Sequence, residues 1–221
     1  MLNIGVLVSG GGTNLQTIID NINSGELPGC KITSVISSRA DAYAIKRAEN
    51  VNIPTICISK KNYSSIEEYD EALIKQFEKA NVDLVVMAGF LSIVGEKFIS
   101  RFSGKIMNVH PSLIPAFCGK GFYGLKPHEK ALEYGVKVTG ATVHFVELET
   151  DTGPIIFQKA VYVEDNDTPE TLQKRVMEEA EWKILTQAIK LFAEGRLVIE
   201  GRRVKTIKRG HSYEAENRKQ R

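Results

Sequence analysis

The segment Val82-Asp83-Leu84-Val85-Val86-Met87 limits the possible folds of this 221-residue chain more than any other. Apart from Asp83 it is a continuous apolar run, and such a run suits a strand buried on both faces in the middle of a parallel sheet. Parallel strands need crossovers of a dozen or more residues, usually helices, so the flanking sequence has to supply them. Leu2 to Val8 reads as a short apolar strand, and Leu15, Ile18, Ile19 and Ile22 follow at helical spacing. Ile32 to Ile36 is a second strand, residues 41–49 a helix, and Thr55 to Ile58 a short third strand. Another helix starts near Ser64 or Ser65, where Ser64-Ser65-Ile66-Glu67-Glu68 offers a capping box. Ile106 to Val109 adds a further strand. This alternation predicts a doubly wound α/β fold.

Beyond Pro115 the pattern changes. Cys118-Gly119-Lys120-Gly121-Phe122-Tyr123-Gly124 is a glycine-rich loop, and Lys126 to Tyr134 reads as a short helix. Val136 to Val146 and Ile155 to Val163 are strands close enough in sequence to pair antiparallel. Asp167-Thr168-Pro169-Glu170 opens a long helix whose apolar stripe, Leu172, Val176, Ala180, Ile184, Ala188 and Phe192, ends at Gly195. The prediction is a mostly parallel sheet with an antiparallel C-terminal extension, in one domain over residues 1–204. Residues 205–221 read as a basic, disordered tail.

Charge distribution supports that division. The tail carries six basic and two acidic residues, a net of +4, while the other 204 residues hold 23 basic and 25 acidic, a net of −2. The body has no basic stripe with interleaved aromatics, so a nucleic-acid partner is not expected. No apolar run approaches the roughly 20 residues of a membrane span. Met1 to Ser9 lacks a leader's charged start, and Cys30, Cys57 and Cys118 are odd in number with no CxxC spacing. A cytoplasmic protein without disulfides is expected. Composition does not fix an oligomeric state. The four histidines show no HxxxH or paired cysteine spacing, so no metal is expected.

Candidate chemistry gathers in three places. Ser9-Gly10-Gly11-Gly12-Thr13-Asn14-Leu15 joins the first strand to the first helix. Glycines let the backbone approach a ligand, and a helix start presents free N–H groups to an anion. No Lys-Ser or Lys-Thr follows, and Leu15 occupies the third glycine position of a dinucleotide fingerprint, so a small phosphate monoester fits best. A tight turn capped by Thr13 or Asn14 is the plainer alternative. Second, Asn108-Val109-His110 closes a strand, and the period of two puts Asn108 and His110 on one face. Pro111 stops that strand where open α/β sheets bind ligands. An amide and an imidazole there can donate to an oxygen as it becomes negative, the need of acyl transfer; a loop cap and a satisfied histidine are the bland alternative. Third, Asp151 lies in Glu149-Thr150-Asp151-Thr152-Gly153-Pro154 and could raise the His110 pKa. His144, sharing a face with Thr142, reads as a packing or supporting residue. Cys118 is a weak nucleophile candidate, and no GxSxG elbow is present.

Taken together, Val8-Ser9-Gly10-Gly11-Gly12-Thr13-Asn14-Leu15, Met87-Ala88-Gly89-Phe90-Leu91, Asn108 to Pro115 and Asp151-x-Gly153-Pro154 resemble the folate-dependent glycinamide ribonucleotide formyltransferases of purine synthesis, over residues 2–204. The resemblance implies that 10-formyltetrahydrofolate, as co-substrate, donates a formyl group to the amine of 5-phosphoribosylglycinamide. It implies that Gly12, Thr13 and Asn14 hold the phosphate and that Glu181, allowing one inserted residue, contacts the same substrate. Leu91, Ser92, Ile93 and Val94 would line the folate site largely with backbone, with Asn108 also facing the folate. Asn108 and His110 would stabilise the oxyanion, His110 would also donate the proton, and Asp151 would tune His110. The chain departs from the pattern at Ser92 and Ile66, where arginines are usual, in a longer loop over residues 116–125, and at Thr150 and Thr152. A formyltetrahydrofolate hydrolase would carry an extra N-terminal domain and a methionyl-tRNA formyltransferase an extra C-terminal one. From another class, a non-catalytic phosphate or nucleotide-binding module would explain the glycine loop but not Asn108, His110 and Asp151.

Overall fold

Val85 and Met87 pack with one set of helices and Leu84 and Val86 with another, so the confining run is buried on both faces of a sheet. The computed structural model describes residues 1–208. Its first half alternates β1 (Leu2–Val8), α1 (Thr13–Asn23), β2 (Cys30–Ser37), α2 (Tyr43–Glu49), β3 (Thr55–Cys57), α3 (Ile66–Lys79), β4 (Leu84–Met87), α4 (Glu96–Arg101) and β5 (Ile106–His110). There follow α5 (Lys126–Tyr134), β6 (Val138–Phe145), β7 (Ile155–Tyr162), α6 (Pro169–Val176), α7 (Trp182–Ala193), β8 (Leu197–Glu200) and β9 (Arg203–Thr206). One nine-stranded sheet has the order β3-β2-β1-β4-β5-β6-β7-β9-β8.

Strands β1 to β5 are parallel, β6 runs antiparallel to β5, and β7 antiparallel to β6. The expected α/β architecture with an antiparallel extension is what is found. The chain moves outward from β1 through β2 to β3, then returns to the other side of β1 with β4. Between the C-terminal ends of β1 and β4 the winding direction reverses, and open α/β sheets bind ligands at such a point. On one face Tyr69, Leu73 and Phe77 of α3 meet Phe98 of α4 and the adjoining Phe102. The other face is closed by α1, α2, α6 and α7.

Besides the β8–β9 hairpin, which the sequence reading left unassigned, three features depart from it. Helix α4 was not anticipated, because its six residues carry too little periodicity and its start is held from outside: Asp70 of α3 accepts from Gly95 N (2.8 Å) and Phe98 N (3.1 Å). The long helix after Asp167 is interrupted, since Met177–Glu181 forms a π-helical turn between α6 and α7. The boundary after residue 204 falls inside β9, and Ile207 is buried with its N–H bonded to Arg196 O, so the folded unit extends past that boundary. The rest of the expected tail, residues 209–221, lies outside the described residues. Among the described residues, no helix is long and apolar enough to cross a membrane.

Candidate active site

Asn108 and His110 leave β5 on one face, as the period of two requires, and the antiparallel register sets Asn108 opposite His144 and His110 opposite Thr142 on β6. His144 Nδ1 lies 2.8 Å from the Phe145 carbonyl, so that nitrogen carries the hydrogen and Nε2 is left to accept. Asn108 Nδ2 sits 3.2 Å from that Nε2, which orients the amide with its NH2 group inward. His144 therefore does more than pack. The sequence signal for this was weak, because a cross-strand partner depends on register rather than on spacing.

Asp151 reaches the same point from the β6–β7 loop. The pairing of the two strands shifts between Val143 and His144, and Gly153 then passes so close to the Phe145 carbonyl that a Cβ would lie 1.9 Å from its oxygen. Only glycine fits there. Asp151 itself has φ +58°, a left-handed conformation that Asp tolerates better than most residues. Its carboxylate accepts from Gly119 N at 2.8 Å and from Asn108 Nδ2 at 3.5 Å. It also lies 3.6 Å from His110 Nδ1 and 3.6 Å from His144 Nε2. Burial raises its pKa, but His144 and His110, each stabilising the carboxylate when its ring takes up a proton, and the Gly119 N–H outweigh burial and hold it below the usual carboxylate range.

His110 is 5% exposed, and its Nε2 donates to the Phe117 carbonyl at 3.0 Å. In the neutral ring the lone pair is then on Nδ1, facing Asp151. The expected rise in its pKa is not found. Loss of water around the ring pushes the pKa down, and the Asp151 charge, helped by Phe117, only partly offsets that. Burial thus favours the neutral ring over the imidazolium in the free protein.

The glycine loop follows β1. Helix α1 begins at Gly12, which has φ +73° and provides no side-chain cap, so neither Thr13 nor Asn14 acts as one. A Cβ on Gly12 would meet Ala44 Cβ at 2.6 Å. Thr13 Oγ1 donates to Met177 Sδ at 3.6 Å, and Asn14 Nδ2 to Glu181 Oε2 at 2.9 Å. Both acceptors belong to the π-helical turn. Glu181 is 5% exposed, and burial pushes its pKa up to about 7 against the opposing Asn14 bond. Asn14 Oδ1, also buried, has no partner.

Between these regions runs the segment after β4. Leu91 and Ile93 are exposed, Ser92 is half-buried and Val94 is buried among the α3 and α4 side chains. Val94 can thus offer a ligand backbone only. Met87 is the register partner of Asn108, which sets the start of this segment beside the polar cluster. Ile66 packs at its far end rather than reaching solvent like an arginine. Cys118 Sγ donates to the Pro115 carbonyl, and burial and then Asp151 raise its pKa, so the thiol stays protonated.

Formyl transferases as a family match residues 2–189. Phosphoribosylglycinamide formyltransferase of Haemophilus influenzae is 44% identical over 197 residues, covering 89% of this chain and 90% of that protein. Human trifunctional purine biosynthetic protein adenosine-3 is 42% identical over 192 residues, 87% of this chain but 18% of that protein. The crystal structure of glycinamide ribonucleotide transformylase 1 from Symbiobacterium toebii superposes with a TM-score of 0.88 at 46% identity, covering 94% of this chain and 95% of that one. With a match over most of its length and relatives this similar from end to end, the chain belongs to the formyl transferase family.

Proposed function

We propose that this protein transfers the formyl group of 10-formyltetrahydrofolate to the amine of 5-phosphoribosylglycinamide, a step of purine biosynthesis carried out in the cytoplasm on soluble small molecules. The observation that carries the reading is the convergence of Asn108, His110 and Asp151 beside a glycine-capped helix start, within a chain 44% identical to a phosphoribosylglycinamide formyltransferase. In this reading Gly12, Thr13 and Asn14 hold the phosphate with backbone N–H groups and the helix dipole. Glu181 and the open Asn14 Oδ1 face the same substrate. The exposed Leu91 and Ile93 and the backbone of residues 91–94 offer a flat heterocycle an apolar wall and polar edges.

An amine attacks a formyl carbon without help from a protein nucleophile, so the residues' work is alignment and charge stabilisation. Asn108 donates one N–H to His144, and the other, held in the free protein by a long bond to Asp151, is given over to the formyl oxygen as that atom gains negative charge. Neutral His110 takes at Nδ1 the proton shed by the amine, and Asp151 stabilises the resulting imidazolium. The same proton is then available to the departing folate nitrogen. This replaces the sequence-derived picture of a resting imidazolium: the positive charge on His110 forms during the reaction.

The test is product formation with 5-phosphoribosylglycinamide, water and methionyl-tRNA offered as competing acceptors. Formyl transfer to the ribonucleotide with little hydrolysis is expected. Formate as the main product would favour the hydrolase reading, and binding of both ligands without turnover would favour the non-catalytic module.

A further inference from the structure

Ser9 is 2% exposed, and its hydroxyl bridges the two loops that flank the reversal point of the sheet. Its Oγ accepts from Leu91 N at 2.8 Å and lies 2.6 Å from Ser38 Oγ. With one lone pair engaged by Leu91, the Ser9 hydroxyl is free to donate to Ser38, which is itself buried and bonded through its N–H to Val8 O. A backbone group after β4 is thus tied to the residue that begins the glycine loop after β1, and through it to the residue after β2.

The other end of the β4 loop is pinned separately. Asp70, 1% exposed, holds Gly95 N and Phe98 N, and a Cβ on Gly95 would lie 2.6 Å from Asp70 Oδ2. Between these pins the side chains of Leu91 and Ile93 face solvent, so they do little to fix the course of the backbone. Apart from the buried Val94, the course of the loop rests on the hydrogen bonds at its ends.

We propose that Ser9 is a positioning residue for the folate subsite: from within the ribonucleotide's own loop it sets the backbone at Leu91 that receives the folate. The inference rests on the proposed assignment of residues 91–94 to the folate. Replacing Ser9 by Ala leaves Leu91 N–H without its acceptor while Gly12 to Asn14 keep their own geometry.

Steady-state kinetics of the full chain with 10-formyltetrahydrofolate and 5-phosphoribosylglycinamide separate the possibilities. Ser9→Ala should raise the folate KM about five- to tenfold, the worth of one neutral hydrogen bond, with less than about twofold change in the ribonucleotide KM. Hydrogen exchange at the Leu91 amide should quicken in the same variant. Ser38→Ala, which leaves the Leu91 bond but removes its support, should show the same selectivity on a smaller scale. Parallel rises in both KM values, or an unchanged folate KM with folding intact, would overturn the link. Ile93→Asp, on an exposed loop side chain, tests the folate assignment by itself. If it weakens folate binding while Ser9→Ala does not, only the link fails; if neither does, the assignment of the loop fails as well.

Discussion

At the start of α1 the proposed anion site is one continuous stretch of backbone, Gly12 to Asn14, whereas beyond β5 four side chains, at positions 108, 110, 144 and 151, converge from two strands and a loop. The first region needs only a strand, a glycine turn and a helix. The second needs a register between β5 and β6, a shift in the β6–β7 pairing and a glycine at 153. Each of these is a long-range feature. The two regions should therefore fail in different ways. Damage to the polar cluster should reduce turnover, and damage to the helix start should reduce affinity for one substrate.

The largest effect is expected in the cluster. Asn108→Ala removes the donor aimed at the formyl oxygen and should lower kcat by roughly 10²- to 10³-fold, with little change in either KM. A variant that instead lost affinity at constant kcat would move Asn108 out of the chemistry and into binding. Next comes the helix start. Gly12→Val places a branched side chain where φ is +73° and Ala44 Cβ is 2.6 Å from the new Cβ. Calorimetric titration should show ribonucleotide affinity falling by about 10- to 100-fold, with folate affinity nearly preserved, because the strain centres on the proposed anion site. Equal loss for both ligands in a folded variant would erase the proposed division.

Glu181 gives an effect read in stability rather than in binding or turnover. Its folded pKa, about 7, lies above the 4.5 of an ordinary glutamate, so the free protein is favoured while the carboxyl is protonated. That contribution is complete below pH 4.5, is lost as pH rises, and has been lost above about pH 7. At 1.36 kcal/mol per pKa unit the difference amounts to about 3 kcal/mol. Denaturant unfolding of Glu181→Gln should show a flatter dependence between pH 5 and pH 8, with the variant the more stable of the two at pH 8. The same slope in both proteins would place the titration elsewhere. The smallest effect belongs to Cys118→Ala, which should retain nearly full turnover, because the thiol is held protonated and bonded to Pro115 O. Loss of several orders of magnitude, with a formyl thioester trapped in the parent protein, would contradict direct attack by the amine.

The same contrast explains what could be read from the amino-acid order. Strands β1, β2, β4 and β5 and helices α1 to α3 were legible because burial leaves mostly apolar runs in those strands and these helices keep their period. The glycine loop was legible because its signature, a strand end, three glycines and a helix start, is local. Asn108, His110 and Asp151 could be named, but their meeting could not be measured, and the role of His144 was hidden in the register. The π-helical turn that brings Glu181 to Asn14 interrupts a stripe that looks continuous on paper. Helix α4 takes its start from Asp70, 25 residues from Gly95, and no local pattern announces that. The pKa of His110 went the other way because Asp151 was visible in the sequence while the depth of burial was not.

The central claim is that His110 and Asp151 act as one unit, with the carboxylate stabilising a positive charge that forms on the ring only during transfer. A double-mutant cycle on kcat addresses it directly, using His110→Ala, Asp151→Asn and the pair, each checked for folding. If the two act together, each single change should cost about 10²- to 10⁴-fold, and the pair should cost little more than the worse of the two. Losses that multiply would show that Asp151 works apart from His110, and the proposed proton path would be wrong.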